Sequence, residues 1–272
     1  MTTRIIISLG FSIIMHTGYT QRVPDIKFTH LGTTDGLSTQ YIRSIFQDSR
    51  GLIWVCTTAG LNRYDGGSFK VYRNIPGNPN SLPSDDIWKI AEDKKGNFWV
   101  GTQTGLSYFE PNENRFTNYL HEPGNNNSLA YGRAETVVVD KNGNVWIGSI
   151  NGLQQFNPLT KKFRLIEFAT KEELQRVVDA QHVYTLYIDN KEQLWAQSGG
   201  NLYLIDTDDF SHKKILSPWK GSLGVNSMYQ DHEGQYWVCY WGKGFTRFDG
   251  KQEPAGKDFV VMNGIFNKIT EW

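Results

Sequence analysis

The sequence predicts an all-β fold, a β-propeller built of four-stranded antiparallel blades, and three observations carry the prediction. A block of about 45 residues recurs five times, with Trp54, Trp99, Trp146, Trp195 and Trp237 standing 45, 47, 49 and 42 residues apart. Each block opens on Asp, a turn, an apolar residue and Trp, and runs on to a second turn, an apolar residue and usually an aromatic. Aromatic residues make up 14% of the chain and glycines number 27, which suits many short strands joined by tight turns. A strand-bearing repeat of this length produces propeller blades or similar arrays, because one unit buries its apolar face only by stacking on the next.

The first block gives its elements in order. Ile42 to Gln47 is strand-like, and Asp48-Ser-Arg-Gly51 has Asp first and Gly fourth, the pattern preferred by a type I turn. Leu52 to Thr57 returns, Gly60 turns the chain again, Leu61 to Tyr64 forms a third strand, and Phe69 to Tyr72 a fourth after Asp65-Gly66-Gly67. Four short strands per repeat are the content of one blade.

The second block repeats this with Asp93, Gly96, Trp99, Gly105-Leu106 and Phe109, and the third with Asp140, Gly143, Trp146, Gly152-Leu153 and Phe156. The fourth places Glu192 and Asn201 where the others have Gly; Asn tolerates positive φ, so the turn assignment stands. The fifth, with Asp231, Gly234, Trp237, Gly244-Phe245 and Phe248, carries one extra residue before Gly244. Blades are expected near 40–72, 86–119, 133–166, 182–213 and 225–250. Gly264 to Trp272 reads as the first strand of a sixth, with Glu271 at the Asp place, so the chain reads as a fragment. Thr170 and Glu173 form a capping-box pattern that predicts a short surface helix.

The N-terminus differs. Arg4 precedes the apolar run Ile5 to Met15, so residues 1–20 read as a secretory signal and 25–272 as the propeller domain; an uncleaved N-terminal segment is the alternative. The 28 basic and 28 acidic residues cancel, and without a basic stripe nothing draws the chain to nucleic acid. Cys56 and Cys239 each stand two residues after a repeat Trp, where Gly101 and Gly148 stand in blocks two and three. They read as small residues packed between sheets, and a disulfide would require blades one and five to be neighbours.

The word Asp-x-x-Gly-x-x-Trp-(Val/Ile)-x-Thr-x-x-Gly-Leu-x-x-(Tyr/Phe), with the opening Phe28-Thr-His-Leu31 and Asp35-Gly-Leu-Ser38, resembles the two-component regulator propeller repeat. The resemblance implies the periplasmic sensor region of a Bacteroidetes-type hybrid histidine kinase that responds to glycans. It also implies a partial seven-bladed propeller, with further propeller and sensor domains of a parent protein as partners and a dimeric assembly. Kinase activity would belong to that parent.

No nucleophile elbow, zinc-protease motif or phosphate loop occurs, and the six histidines fall at unrelated repeat positions. The chain is therefore expected not to be an enzyme and to need no cofactor or metal. The repeated Asp reads as a turn residue rather than a calcium ligand, and the repeated Trp as packing rather than a sugar platform. Candidate ligand contacts are the positions where the repeats disagree. Five residues before each Asp stand Arg43, Trp88, Glu135, Tyr184 and Asn226; seven before stand Tyr41, Asp86, Arg133, His182 and Gly224. Of these, Tyr41, Arg43, Trp88, Arg133, Glu135, Tyr184 and Asn226, together with Trp241 from the fifth turn, are the expected contacts for an oligosaccharide or other small ligand. A propeller-fold carbohydrate-active enzyme would instead need a clustered His or carboxylate pair, and a pure protein-interaction scaffold would need no ligand.

Overall fold

The computed structural model describes residues 28–150, 152–166, 181–215, 225–240, 244–248 and 259–260. The chain separates into two compact units, Met1–His30 and Leu31–Trp272, and the sheets among the described residues belong to the second. The expected signal segment, the helix near Thr170, Trp241 and the sixth strand lie outside the described residues.

Five four-stranded antiparallel sheets follow one another along the chain. The first holds β1 (Ile42–Gln47), β2 (Ile53–Thr57), β3 (Gly60–Tyr64) and β4 (Phe69–Tyr72). The second holds β5 (Ile87–Glu92), β6 (Phe98–Thr102), β7 (Gly105–Glu110) and β8 (Arg115–Tyr119). The third holds β9 (Thr136–Val139), β10 (Val145–Ser149), β11 (Gly152–Asn157) and β12 (Lys162–Ile166). In the fourth are β13 (Val183–Ile188), β14 (Leu194–Ser198), β15 (Asn201–Ile205) and β16 (His212–Ile215), and in the fifth β17 (Val225–Gln230), β18 (Tyr236–Tyr240), β19 (Gly244–Phe248) and β20 (Phe259–Val260). The fifth sheet thus reaches past the residue-250 limit read from the sequence, because β20 pairs with β19 only after a longer connection. Innermost strands touch in the order β1, β5, β9, β13, β17.

The repeated Asp does more than turn the chain. In blade one Gly51 N donates to Asp48 O at 2.9 Å, closing the turn with Gly51 at φ 84°. Asp48 Oδ1 accepts from Arg50 N and Leu52 N at 3.0 and 2.9 Å, while Oδ2 accepts from Trp54 Nε1 at 2.9 Å. The same indole bond recurs from Trp146 to Asp140, Trp195 to Asp189 and Trp237 to Asp231, at 2.9, 2.9 and 2.7 Å. Blade two differs: Tyr108 Oη takes Asp93 Oδ2 at 2.8 Å, and Trp99 stacks on Tyr108 instead. The word spaced as Asp and Trp is therefore one hydrogen-bonded unit that anchors an otherwise apolar ring.

The repeat tryptophans of blades one to four reach the next blade. Trp54 meets Phe98 and Phe109 at 4.7 and 6.0 Å, Trp99 meets Phe156 at 5.6 Å, and Trp195 meets Tyr236 at 5.1 Å. Trp146 sits in one cluster with Val183, Leu186 and Leu194. Among the described residues the two ends of the array lack such cover. Ile45 is 62% exposed, whereas the residues in its place, Ile90, Val137, Leu186 and Met228, are at most 8% exposed. At the other end Trp237 is half-buried, while the four preceding repeat tryptophans are buried.

The small-residue expectation holds at Gly101 and Gly148. A Cβ on Gly148 would stand 2.6 Å from Val183 O and 2.5 Å from Thr136 Cγ2, and one on Gly101 would stand 2.5 Å from Ala134 O. Blades converge at these places, so Gly148→Ala is expected to lower the stability of the chain by about 1–3 kcal/mol through forced separation of blades three and four. A urea-unfolding midpoint unchanged by that substitution would contradict the close approach. Cys56 and Cys239 are free thiols, and burial pushes the Cys56 thiol up to about 11.

Candidate functional site

The innermost strands carry a shared irregularity. Pairing runs from Ile42↔Thr57 to Ser44↔Cys56, which leaves Arg43 as an extra residue, a β-bulge. Trp88, Tyr184 and Asn226 are skipped in the same way in blades two, four and five. In blade three Glu135 stands just before β9 and its N–H donates to Gly148 O at 2.9 Å. A bulge frees a side chain from strict alternation and re-aims it. Here it does so at one place in blades one, two, four and five, and Glu135 holds the corresponding place in blade three.

These five residues share one cavity. It has a volume of about 820 Å³ and is walled by the innermost strands of all five blades, with Arg43, Trp88, Glu135, Tyr184 and Asn226 among the lining residues. A smaller cleft of about 390 Å³ lies among Lys141, Asp206 and His212 and holds none of the five.

Charge is organised around Trp88. The Arg43 guanidinium carbon lies 3.9 Å from the Trp88 ring centroid and that of Arg133 5.2 Å, both within cation–π range. Arg43 Nε and Nη2 donate to Asp86 Oδ1 and Oδ2 at 3.1 and 3.0 Å, a two-pronged pair. Arg133 Nη1 donates to Glu135 Oε1 at 2.9 Å. Trp88 Nε1 is itself held by Gln103 Oε1 at 3.2 Å. The indole is thereby fixed in orientation, with two guanidiniums beside it.

Glu135 is tied on its other side. His182 Nε2 lies 2.6 Å from Glu135 Oε2, and the two side chains are only 5% and 2% exposed. His182 Nδ1 is buried without a hydrogen-bond partner among the described residues, and the ring stacks on Tyr184 at 3.4 Å between centroids. The histidines that look scattered in the sequence thus include one that meets a carboxylate 47 residues away, across blades three and four.

Of the expected contacts, the structure gathers Arg43, Trp88, Glu135, Tyr184 and Asn226 at the cavity, and Arg133 joins them through Trp88 and Glu135. Tyr41 is 75% exposed and does not line the cavity. Sequence reasoning placed Asp86 and His182 at the same repeat position as Arg133 without assigning them a part; their pairing with Arg43 and Glu135 is the added finding. Among the described residues no group of three His, Cys, Asp or Glu side chains could hold a metal, and no helix is long and apolar enough to cross a membrane.

Fold and cavity together define a β-propeller with a ligand-sized central site. Residues 36–59 and 81–104 match the family described as two component regulator propeller. A 48-residue stretch is 48% identical to Histidine kinase P4 of Formosa agariphila, covering 18% of this chain and 4% of that protein. The extracellular domain of a protein described as a hybrid two component system of B. thetaiotaomicron superposes with a TM-score of 0.67 at 24% identity, over 83% of this chain and 31% of that one. A streptogramin B lyase superposes with a TM-score of 0.59 at 14% identity, over 80% of this chain and 66% of its own. At such identities the structural likenesses establish the fold. The chain spans under a third of the B. thetaiotaomicron domain, and its match to the kinase is far shorter still.

Proposed function

We propose that this chain is the periplasmic, ligand-sensing propeller of a hybrid two-component signalling protein and that the central cavity receives a glycan. The observation that carries the proposal is the bulged position of the innermost strands. The same backbone device recurs around the cavity, yet it presents Arg43, Trp88, Tyr184 and Asn226, with Glu135 in the third blade. A purely structural position needs no such variety; a set of mixed charged, aromatic and amide groups around one ligand does. The family match and the likeness to a histidine kinase and to the extracellular domain of a hybrid two component system support the signalling context and export.

The exposed face of blade one and the half-buried Trp237 of blade five support a longer ring, which we place at seven blades, completed by further repeats of the parent protein. Dimerisation of that parent would let ligand contact bias packing between subunits. The Glu135–His182 pair favours a second reading, an enzyme of propeller fold. Both side chains are closed off from solvent, and His182 is not among the cavity-lining residues, so we assign the pair to holding Arg133 rather than to turnover. A thermal-shift screen of the chain against neutral and acidic oligosaccharides tests the sensor reading: stabilisation without product formation is expected. Absence of any shift across the panel defeats the glycan assignment, and bond cleavage that depends on His182 defeats the non-enzymatic one.

A further inference from the structure

The carboxylates around the cavity are already engaged, whereas the arginines that pair with them have donors to spare. Asp86 accepts both prongs of Arg43, Glu135 accepts from Arg133 and faces His182, and Glu92 accepts from Ser49 N and Oγ at 2.8 and 2.6 Å. Each arginine keeps donors in hand. Arg43 spends Nε and Nη2 on Asp86, leaving Nη1, and Arg133 spends Nη1 on Glu135, leaving Nε and Nη2. Both arginine side chains are about one-third exposed, 34% and 33%. Lys89 adds a second cation, beside Arg43, to the lining itself.

The two arginines come from blades one and three, and Trp88 of blade two stands between them in the chain order of the ring. Their acidic partners fix them in place, which removes much of the ordering cost of gripping a ligand. Spare hydrogen-bonding capacity at this spot is thus donor-rich and pre-organised, and it suits a planar acceptor.

We infer that the Arg43–Trp88–Arg133 cluster binds the carboxylate of an acidic ligand. The inference rests on the reading of the cavity as the ligand site and narrows it to one chemistry. That carboxylate belongs either to an acidic saccharide or to a small organic acid, and the experiment separates the two.

The test is calorimetric titration of the 272-residue chain with digalacturonate, with its methyl ester and with citrate. Digalacturonate or citrate is expected to bind, and the ester to bind on the order of tenfold more weakly or not at all, since a charge-assisted hydrogen bond is lost. Binding of digalacturonate alone identifies a saccharide acid; binding of citrate as well identifies any suitably placed carboxylate. Arg43→Gln and Arg133→Lys are each expected to weaken the acid on the order of tenfold while the unfolding temperature holds. Should Arg43→Gln fail to fold, Arg43→Lys keeps the charge but loses the fork and is expected to weaken the acid in the same direction. Equal affinity for acid and ester overturns the carboxylate assignment while leaving a saccharide site in place. Failure of both acids to bind overturns it outright, and neutral-oligosaccharide binding in the thermal-shift screen then shows whether the broader reading survives.

Discussion

Asp140→Ala is expected to destabilise the propeller by about 3 kcal/mol, out of a total of about 5–15 kcal/mol for a domain. The carboxylate accepts from Asn142 N, Asn144 N and Trp146 Nε1, all at 2.9 Å. Asp140 is buried and Trp146 is inaccessible to solvent, so alanine strands a buried indole N–H as well as unlatching the turn. Leaving one such donor unpaired costs about 1–3 kcal/mol by itself. Asp140→Asn keeps an acceptor and is expected to lose less. Chemical denaturation of the three chains side by side measures the differences; an alanine variant as stable as the native chain would show that the Asp is only a turn former.

Acid should act on the same latch. The Trp237 hydrogen bond holds the Asp231 carboxyl below its ordinary value of 3.8. At Asp48 burial pushes the value up, but the Trp54, Leu52 and Arg50 hydrogen bonds and the Arg50 charge outweigh it and leave a net lowering. A depressed folded value means that stability is present in full above the unfolded value and is shed as pH falls through the folded one. The propeller is therefore expected to weaken below about pH 4 through these groups and to be insensitive to them above it.

The second large effect is a contrast between equivalent residues. Ile90→Ala is expected to cost about 2–5 kcal/mol, while Ile45→Ala in the same repeat position is expected to stay within about 0.5 kcal/mol. Ile90 is 2% exposed in a cluster with Trp54, Phe98 and Phe109, whereas Ile45 faces solvent because no described blade precedes blade one. Unfolding midpoints of the two variants decide the matter. Equal losses would mean that something covers the blade-one face in solution; on the proposal of a longer ring, Ile45→Ala should cost as much as Ile90→Ala once a further blade covers that face.

These contrasts show what the primary structure conveys and what it does not. The blades were legible because turn chemistry and apolar period are local. Asp48 and Gly51 lie within one turn, and Ser81 and Ser128, matched in the linkers, make matched bonds to Ile75 N and Glu122 N at 2.9 and 3.1 Å. The choice of Arg43, Trp88, Glu135, Tyr184 and Asn226 was legible because those residues differ where their neighbours agree. Contacts between blades were not. Whether Tyr41 is covered depends on a neighbouring blade rather than on its own repeat. The Glu135–His182 pair joins residues 47 apart whose repeat positions differ by two, and only the stacking of blades brings them together. The Asp-to-Trp bond was hidden in plain view: both words were read, but each was given a separate task.

The central claim is that constant words build the ring while the bulged, variable ones meet the ligand. Tryptophan emission during glycan titration tests it most directly, comparing the native chain with Trp88→Ala. The expected result is a saturable change in the native chain that disappears in Trp88→Ala while the unfolding transition is kept. A change that persists in Trp88→Ala would contradict the account, as would a variant that loses its fold along with the signal.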